Sequence, residues 1–338
     1  MGAGLSRRGR RGRPGKSLNP YGRGNRIDPD LVREGSAARD QLDEEGRRTV
    51  SRRSLGRHPA IDDVSPEVGE LDEDAFERAL SEDPDEALAL LADLTGATDR
   101  RLQALARQLA GRIVVDLSRS GRARARGIGT MTRERADRAE GDIDVDASLD
   151  SLTLAVANSS PPHLDEIKVA AWRRPETALC VVIDRSGSMG GERLAAAAVA
   201  AAACSWRAPQ DYSVIAFGED VLVIKAQDSA VPTGAVVNDV FRLRGHGVTN
   251  MHAALRTAGG QLQRSRAKRR IALLLSDCRP TTGEDPTAAA RALDELCIVA
   301  PRDDGDDASA LARATGAEWT MLAGPSDVPR AIASLLDR

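Results

Sequence analysis

The apolar run Ala178, Leu179, Cys180, Val181, Val182, Ile183, broken at once by Asp184-Arg185-Ser186-Gly187-Ser188, constrains this chain more than any other stretch. Six consecutive apolar residues between polar ones predict a strand buried on both faces, as in the middle of a parallel sheet. The strand stops where one carboxylate and two hydroxyls alternate on a turn that Gly187 permits, and Gly190-Gly191 leads into an apolar helical segment. In open α/β sheets, ligands bind in the crevice beyond the carboxyl ends of the strands. A carboxylate with hydroxyls, lacking His and Cys, is a hard-oxygen set suited to Mg2+, Mn2+ or Ca2+ rather than zinc.

The alternation of strand and helix continues downstream. Strands are expected at 212–217, 221–225, 270–275, 296–300 and 319–322, and helices at 192–206, 236–243, 251–262, 287–293, 308–315 and 328–336. Gly218-Glu219-Asp220 can close a hairpin but not a parallel crossover, so one strand of that pair is an antiparallel edge. The expected fold class is α/β: a doubly wound, mostly parallel sheet with one antiparallel edge strand over 166–338. Residues 169–172 are read as a further edge strand.

The D-x-S-x-S pattern after an apolar strand resembles the metal-ion-dependent adhesion site of von Willebrand factor type A domains. That family also needs a Thr from one loop and an Asp from the end of a later strand, in this order. Val248-Thr249-Asn250 follows the Gly245-His246-Gly247 loop, and the apolar run 271–275 ends at Ser276-Asp277. The resemblance implies a metal site of Asp184, Ser186, Ser188, Thr249 and Asp277. It makes the three hydroxyls inner ligands and lets the two aspartates act mainly through water. Mg2+ is the ion implied, with Mn2+ or Ca2+ as alternatives, and an open position takes a carboxylate from a partner protein. One departure is Cys278-Arg279-Pro280, where many relatives have Gly and then a polar residue. Arg185, between the ligands, is expected to lie in solvent or to meet the incoming carboxylate.

The N-terminal half reads differently. Residues 1–60 are rich in Gly, Arg, Ser and Pro, lack apolar periodicity, and carry only positive charge over the first 26 positions. Such a stretch buries too little apolar surface to order itself, so a disordered basic arm is expected. Residues 61–165 form a charged helical region, with short helices around Phe76 and Leu80 and around Leu88 and Leu91. A longer helix over 99–117 has the stripe Leu102, Leu105, Leu109, Ile113 and Leu117, expected to pack on the main domain. A helix is also expected over 149–157. Gly15-Lys16-Ser17 lacks the earlier glycine and the strand of a phosphate-binding loop. Met1-Gly2 with Ser6 matches a myristoylation pattern, which has no consequence if the source is bacterial, the origin that the bias toward Ala, Arg, Gly and Asp favours. Asp142-Ile143-Asp144-Val145-Asp146 lacks the glycine and glutamate of an EF-hand loop.

A net charge of −3 over 338 residues creates no global field toward nucleic acid or membrane. No run reaches membrane-spanning length, and the N-terminus lacks the apolar core of a signal peptide. Cys180, Cys204, Cys278 and Cys297 have no C-x-x-C spacing and are expected as buried free thiols in the cytoplasm. No Ser/His/Asp arrangement is readable around His58, His163, His246 and His252, and the chain is read as a non-enzyme.

More narrowly, the chain resembles the bacterial type A proteins related to CoxE and to the D subunit of magnesium chelatase. These place a charged helical half before a type A domain and work with AAA+ ATPases of the MoxR class. The resemblance implies a cytoplasmic, metal-dependent protein-interaction module that acts as adaptor or co-chaperone in protein maturation or metal-centre insertion. Its partners would be a MoxR-class AAA+ ATPase and a protein ligand offering a carboxylate, with no nucleic acid and no membrane. The alternative is a non-ATPase subunit of a magnesium or cobalt chelatase. The D subunit, however, usually carries an AAA+-like domain upstream, for which residues 1–165 are too short and too irregular.

Overall fold

The computed structural model describes residues 31–120, 130–137, 142–173, 177–187, 190–245, 247–302 and 304–337. Residues 1–30 of the expected basic arm, Ser188 and His246 lie outside the described residues. In chain order the elements begin with β1 (Val32–Arg33), α1 (Ser36–Glu45), α2 (Arg52–Leu55), α3 (Ile61–Val64), α4 (Glu73–Glu82), α5 (Pro84–Leu94) and α6 (Arg100–Ser120). A small unit follows: β2 (Thr130–Arg135), β3 (Asp142–Ile143), α7 (Val145–Ala157) and β4 (Lys168–Arg173). Then come β5 (Thr177–Asp184), α8 (Glu192–Arg207), β6 (Tyr212–Phe217), β7 (Val221–Lys225), α9 (Thr233–Val240) and α10 (Met251–Leu262). The chain closes with β8 (Arg269–Leu275), α11 (Pro286–Arg291), β9 (Glu295–Pro301), α12 (Asp306–Thr315), β10 (Glu318–Leu322), a 3-10 turn at Pro325–Asp327 and α13 (Val328–Leu336).

Seven strands form one sheet in the order β1-β7-β6-β5-β8-β9-β10. All neighbouring pairs are parallel except β6 with β7, which is the antiparallel pair expected from its three-residue connection; the two-residue β1 runs parallel along the outer side of β7. The alternation of β5 divides the core between the faces. Leu179, Val181 and Ile183 pack with α8, α9 and α13, while Ala178, Cys180 and Val182 pack with α10, α11 and α12. The alanine-rich α8 lies flat on the first face, its Ala197 to Ala203 almost wholly buried.

The helical region shares this first core. Leu88, Leu91, Leu102, Leu109 and Val114 belong to the same buried cluster as α8, and Ile113 and Leu117 pack against it; of the expected stripe, Leu105 is not part of that cluster. Local chemistry sets the helix starts: Asp72 caps α4 by accepting from Ala75 N at 2.9 Å, and Asp83 caps α5 just before Pro84. All four cysteines are free and buried. No helix among the described residues is long and apolar enough to cross a membrane.

Two expectations fail. Residues 31–60, expected as part of a disordered arm, are ordered. Ion pairs to distant partners hold them: Arg33 to Asp220 (2.8 Å), Glu34 to Arg264 (2.5 and 2.9 Å) and Asp43 to Arg242 (3.0 Å), around buried Ala38 and Leu42. Ala38, Leu42 and Leu55 also enter the shared core, but so few apolar residues among many charges leave no clear period in the sequence. Residues 169–172 are not an edge of the main sheet. They lie in β4, the central strand of a separate antiparallel sheet in the order β2-β4-β3. The partner strand Thr130–Arg135 has no apolar alternation to announce it.

Candidate functional site

The site forms where β5, β6 and β8 end. Arg185 N donates to Phe217 O (2.8 Å), carrying the ladder one residue beyond β5 before the chain turns away at Gly187. Gly187 and Gly191 have φ of +59° and +53°, a region that a side chain would strain. Asp184 is buried and closes the turn: its Oδ1 accepts from Ser186 N (2.7 Å) and its Oδ2 from the Ser276 hydroxyl (2.5 Å). Burial raises the Asp184 carboxyl above the usual carboxylate range against these hydrogen bonds, and the nearby Asp277 charge adds to the rise.

Two more loops are bound to this one. Asn250 N donates to Gly218 O (2.7 Å), immediately beyond the Phe217 that pairs with Asp184, while the Asn250 side chain caps α10. Thr249 N donates to the Thr281 hydroxyl (2.8 Å), and Thr249 O accepts from Thr281 N and Thr282 N, on the loop that Asp277 begins. The Thr249 side chain is 1% exposed, and its Oγ1 finds no hydrogen-bond partner among the described residues. A buried hydroxyl without a partner is costly unless something absent from the protein itself satisfies it. Asp277 Oδ1 accepts from Arg279 N (3.1 Å).

Cys278 explains the departure noted in the sequence. It adopts φ +63°, where glycine would be unstrained, and is held there by Cys278 N donating to the Ser276 hydroxyl (2.8 Å). Burial pushes its thiol up to about 12, so it is no thiolate ligand.

The structure therefore brings the Asp184, Ser186, Thr249 and Asp277 loops to one end of the sheet, and a cleft of about 590 Å³ opens beside Asp184, Ser186 and Asp277. These residues fit a hard divalent cation: oxygen donors only, a buried carboxylate made less acidic by burial and a second acid, and an orphaned threonyl oxygen. Among the described residues no group of three or more His, Cys, Asp and Glu is arranged to hold a metal ion. No described histidine is hydrogen-bonded to these residues. His252 Nδ1 is 3.1 Å from Asp285 O, and His58 lies deep in the helical region.

Sequence reasoning missed what steadies the Asp184 loop. Arg185 was expected in solvent or at the ligand; it is fully buried, pointing inward to Glu45 (Nη1 to Oε1, 2.6 Å) and Asp220 (Nη2 to Oδ1, 2.8 Å). Glu45 also accepts from Arg244 N (2.9 Å). At the other end of the loop, Gly191 N donates to Asp93 Oδ1 (3.2 Å). Asp93 is buried and held by Arg57 and by His58 Nε2 (2.8 Å), while His58 Nδ1 meets Glu86 (2.7 Å). Helices α1 and α5 thus grip both ends of the turn that carries Ser186.

Burial opposes the imidazolium of His58, but the hydrogen bonds and charges of Asp93 and Glu86 outweigh it and raise its pKa. The stability it contributes is full below the unfolded value of about 6.5 and is lost as pH rises through the higher folded value. Urea unfolding of the whole chain should show this decline, and His58→Gln should flatten it. An equal slope in both proteins would remove His58 from the account.

Residues 179–283 match the family model of the von Willebrand factor type A domain. No curated protein matches the sequence. Among solved structures, a von Willebrand factor type A protein from Catenulispora acidiphila is 19% identical, with a TM-score of 0.39 over 49% of this chain and 42% of its own. A point mutant of the PilB minor pilin from Streptococcus sanguinis is 13% identical, with a TM-score of 0.40 over 51% of this chain and 65% of its own. Manganese-loaded TRAP protein from Plasmodium vivax is 16% identical, with a TM-score of 0.37 over 47% of this chain and 71% of its own. The chain thus spans less than two thirds of the first two structures.

Proposed function

We propose that this protein is a metal-ion-dependent protein-interaction module, an adaptor or co-chaperone for a MoxR-class AAA+ ATPase in protein maturation or metal-centre insertion. Asp184, Ser186, Ser188, Thr249 and Asp277 hold the ion, Mg2+ by preference. The observation that carries this reading is the buried Thr249 Oγ1, which has no hydrogen-bond partner among the described residues. When bound, the ion offers an open position to a carboxylate of a protein ligand. The chain's own residues orient and hold: Ser276 and Ser186 N fix the Asp184 carboxylate, and Asp93 and Arg185 fix the ends of its loop. The ATPase partner and cytoplasmic location rest on the resemblance of the charged helical half and type A domain to the CoxE group.

The test is capture from native lysate on the immobilised full chain, with magnesium and then with chelator, read by mass spectrometry. A MoxR-class ATPase retained in magnesium, released by chelator and lost with Asp184→Ala is the expected result. Retention by Asp184→Ala, or recovery of chelatase subunits in place of the ATPase, would contradict it.

A further inference from the structure

The small unit of β2, β3, β4 and α7 leaves one helix face uncovered. Helix α7 buries Ser148 and Ala155, and Ser148 Oγ accepts from Lys168 N of β4 at 2.8 Å. Beside that buried face, Val145, Leu149, Leu152 and Val156 follow one another at intervals of four, three and four residues. On a helix this spacing draws a straight seam about 16 Å long. Most of it is bare: Val145 is 57% exposed, Leu149 56% and Val156 80%, while Leu152 is half-buried. Leu154, also exposed, lies on the opposite side of the helix and outside the seam. Large apolar side chains in one exposed line mark an interaction face, unlike single ones scattered over a surface. Asp146 and Asp150, each one position after a seam residue, border it, and both are exposed. Neither makes an ion pair or side-chain hydrogen bond with the described residues, and α7 carries no Lys, Arg or His to answer them. Among the described cations of this unit, Arg133 is committed to Asp144 (2.6 Å) and Arg135 to Asp137 (3.1 Å), and Lys168 is half-buried on β4.

We propose that this seam docks a basic amphipathic helix of a partner protein. Aliphatic side chains of that helix interleave with Val145, Leu149, Leu152 and Val156, and its Lys or Arg residues meet Asp146 and Asp150. The four-three-four spacing selects a helix, because a second helix offers its own side chains at the same three- and four-residue steps, whereas an extended strand does not. Charge complementarity selects a basic one, since the border of the seam holds two unanswered carboxylates and no cation. A second copy of this chain fits less well, because it would gather Asp146 and Asp150 from both copies with no cation on either α7. The chain's own basic arm, residues 1–26, is rich in Gly and lacks apolar periodicity, so it brings charge without a seam. The docking needs no metal ion and stands apart from the Asp184 site.

The experiment uses the full chain and a fluorescein-labelled synthetic peptide of about three heptads, with Leu at the a and d positions and Lys at e and g, where the lysines oppose its self-association. Binding is read by fluorescence anisotropy in chelator, so that the Asp184 site plays no part. Two control peptides replace Lys by Glu or Leu by Ser. The Lys/Leu peptide should bind, and neither control should. Leu149→Ser and Val156→Ser should each weaken binding at least about tenfold, as loss of one buried aliphatic contact does. Asp146→Asn with Asp150→Asn should weaken it about two- to fivefold and flatten its salt dependence, as exposed ion pairs do. These side chains are exposed, so far-UV circular dichroism should not change. Hydrogen exchange should slow over residues 145–157 when the peptide binds, and not over the acidic α4. No binding of the Lys/Leu peptide overturns the proposal. So does binding that Leu149→Ser and Val156→Ser leave untouched, or that the Ser peptide reproduces, or that protects α4 instead, since each marks bare charge attraction. Sedimentation showing a dimer that Leu149→Ser dissolves and the peptide does not displace would give the seam to a second copy and overturn it as well.

Discussion

Arg185→Ala should unfold the protein at markedly lower urea, with a loss of about 3–5 kcal/mol, as expected when one partner of a buried ion pair is removed. The Arg185 guanidinium is wholly buried between Glu45 and Asp220. Without it, Glu45 keeps the Arg244 N–H but sits in the core as an undercompensated carboxylate. Asp220 loses less, because Arg33 still reaches its other oxygen at 2.8 Å and its side chain is 20% exposed. Glu45→Gln added to Arg185→Met should recover much of the stability, since the charge left behind is then gone. The damage should fall on α1 and β1, which Arg185 and Asp220 tether to the sheet. The measurement is the urea midpoint, with hydrogen exchange over residues 31–45. A loss below about 1 kcal/mol, in the range of an exposed pair, would mean that Arg185 is solvated after all.

Thr249→Val should do the reverse: leave the metal-free protein as stable as the parent or more so, while destroying ion binding. The substitution keeps the shape and removes a buried hydroxyl whose Oγ1 has no partner among the described residues. The metal-free state therefore loses no hydrogen bond from that oxygen and sheds its desolvation cost. If the oxygen is a ligand, affinity should fall by at least the 10–100-fold typical of losing a supporting group at a metal site. At an ion concentration 100 times the parent's Kd, stabilisation of about 2.7 kcal/mol would drop to about 0.4 kcal/mol for a hundredfold weaker site. Thermal unfolding with and without Mg2+ reads both halves. A metal-free Thr249→Val protein that is clearly destabilised would show that the hydroxyl is satisfied within the chain. An unchanged Mg2+ response would remove Thr249 from the site.

How far the sequence carried each part follows from what kind of force builds it. The β5 run and the α8 alanines were legible because burial on both faces leaves a continuous apolar signature. The D-R-S-G-S turn was legible because its chemistry sits within a few residues. Thr249 and Asp277 lie far along the chain, and only the order of loops in a known family linked them to Asp184; the Asn250 to Gly218 bond and the Thr249 to Thr281 bond supply the physical link. Arg185 was misread because its partner Glu45 is 140 positions away, and charge pairing has no period. The order of residues 31–60 was hidden because only a few apolar residues, Ala38, Leu42 and Leu55, anchor them in the core among many charges, with Arg33, Glu34 and Asp43 pairing to distant partners around them. Asp93 and His58 were unremarkable on an acidic helix and in a basic stretch, yet together they hold Gly191 at the end of the Asp184 loop. Local apolar patterns marked the elements, and long-range polar pairs decided how the N-terminal half is fastened to them.

The most direct test of the central claim is anomalous diffraction from crystals of the full chain grown in manganese. The account expects one strong peak beyond the carboxyl end of β5, at about 2.1 Å from hydroxyl oxygens as hard octahedral cations require, with Thr249 Oγ1 and Ser186 Oγ among its ligands and a position facing the cleft. A well-loaded crystal with no peak between the Asp184, Thr249 and Asp277 loops, or with manganese only on surface acids elsewhere, would contradict it.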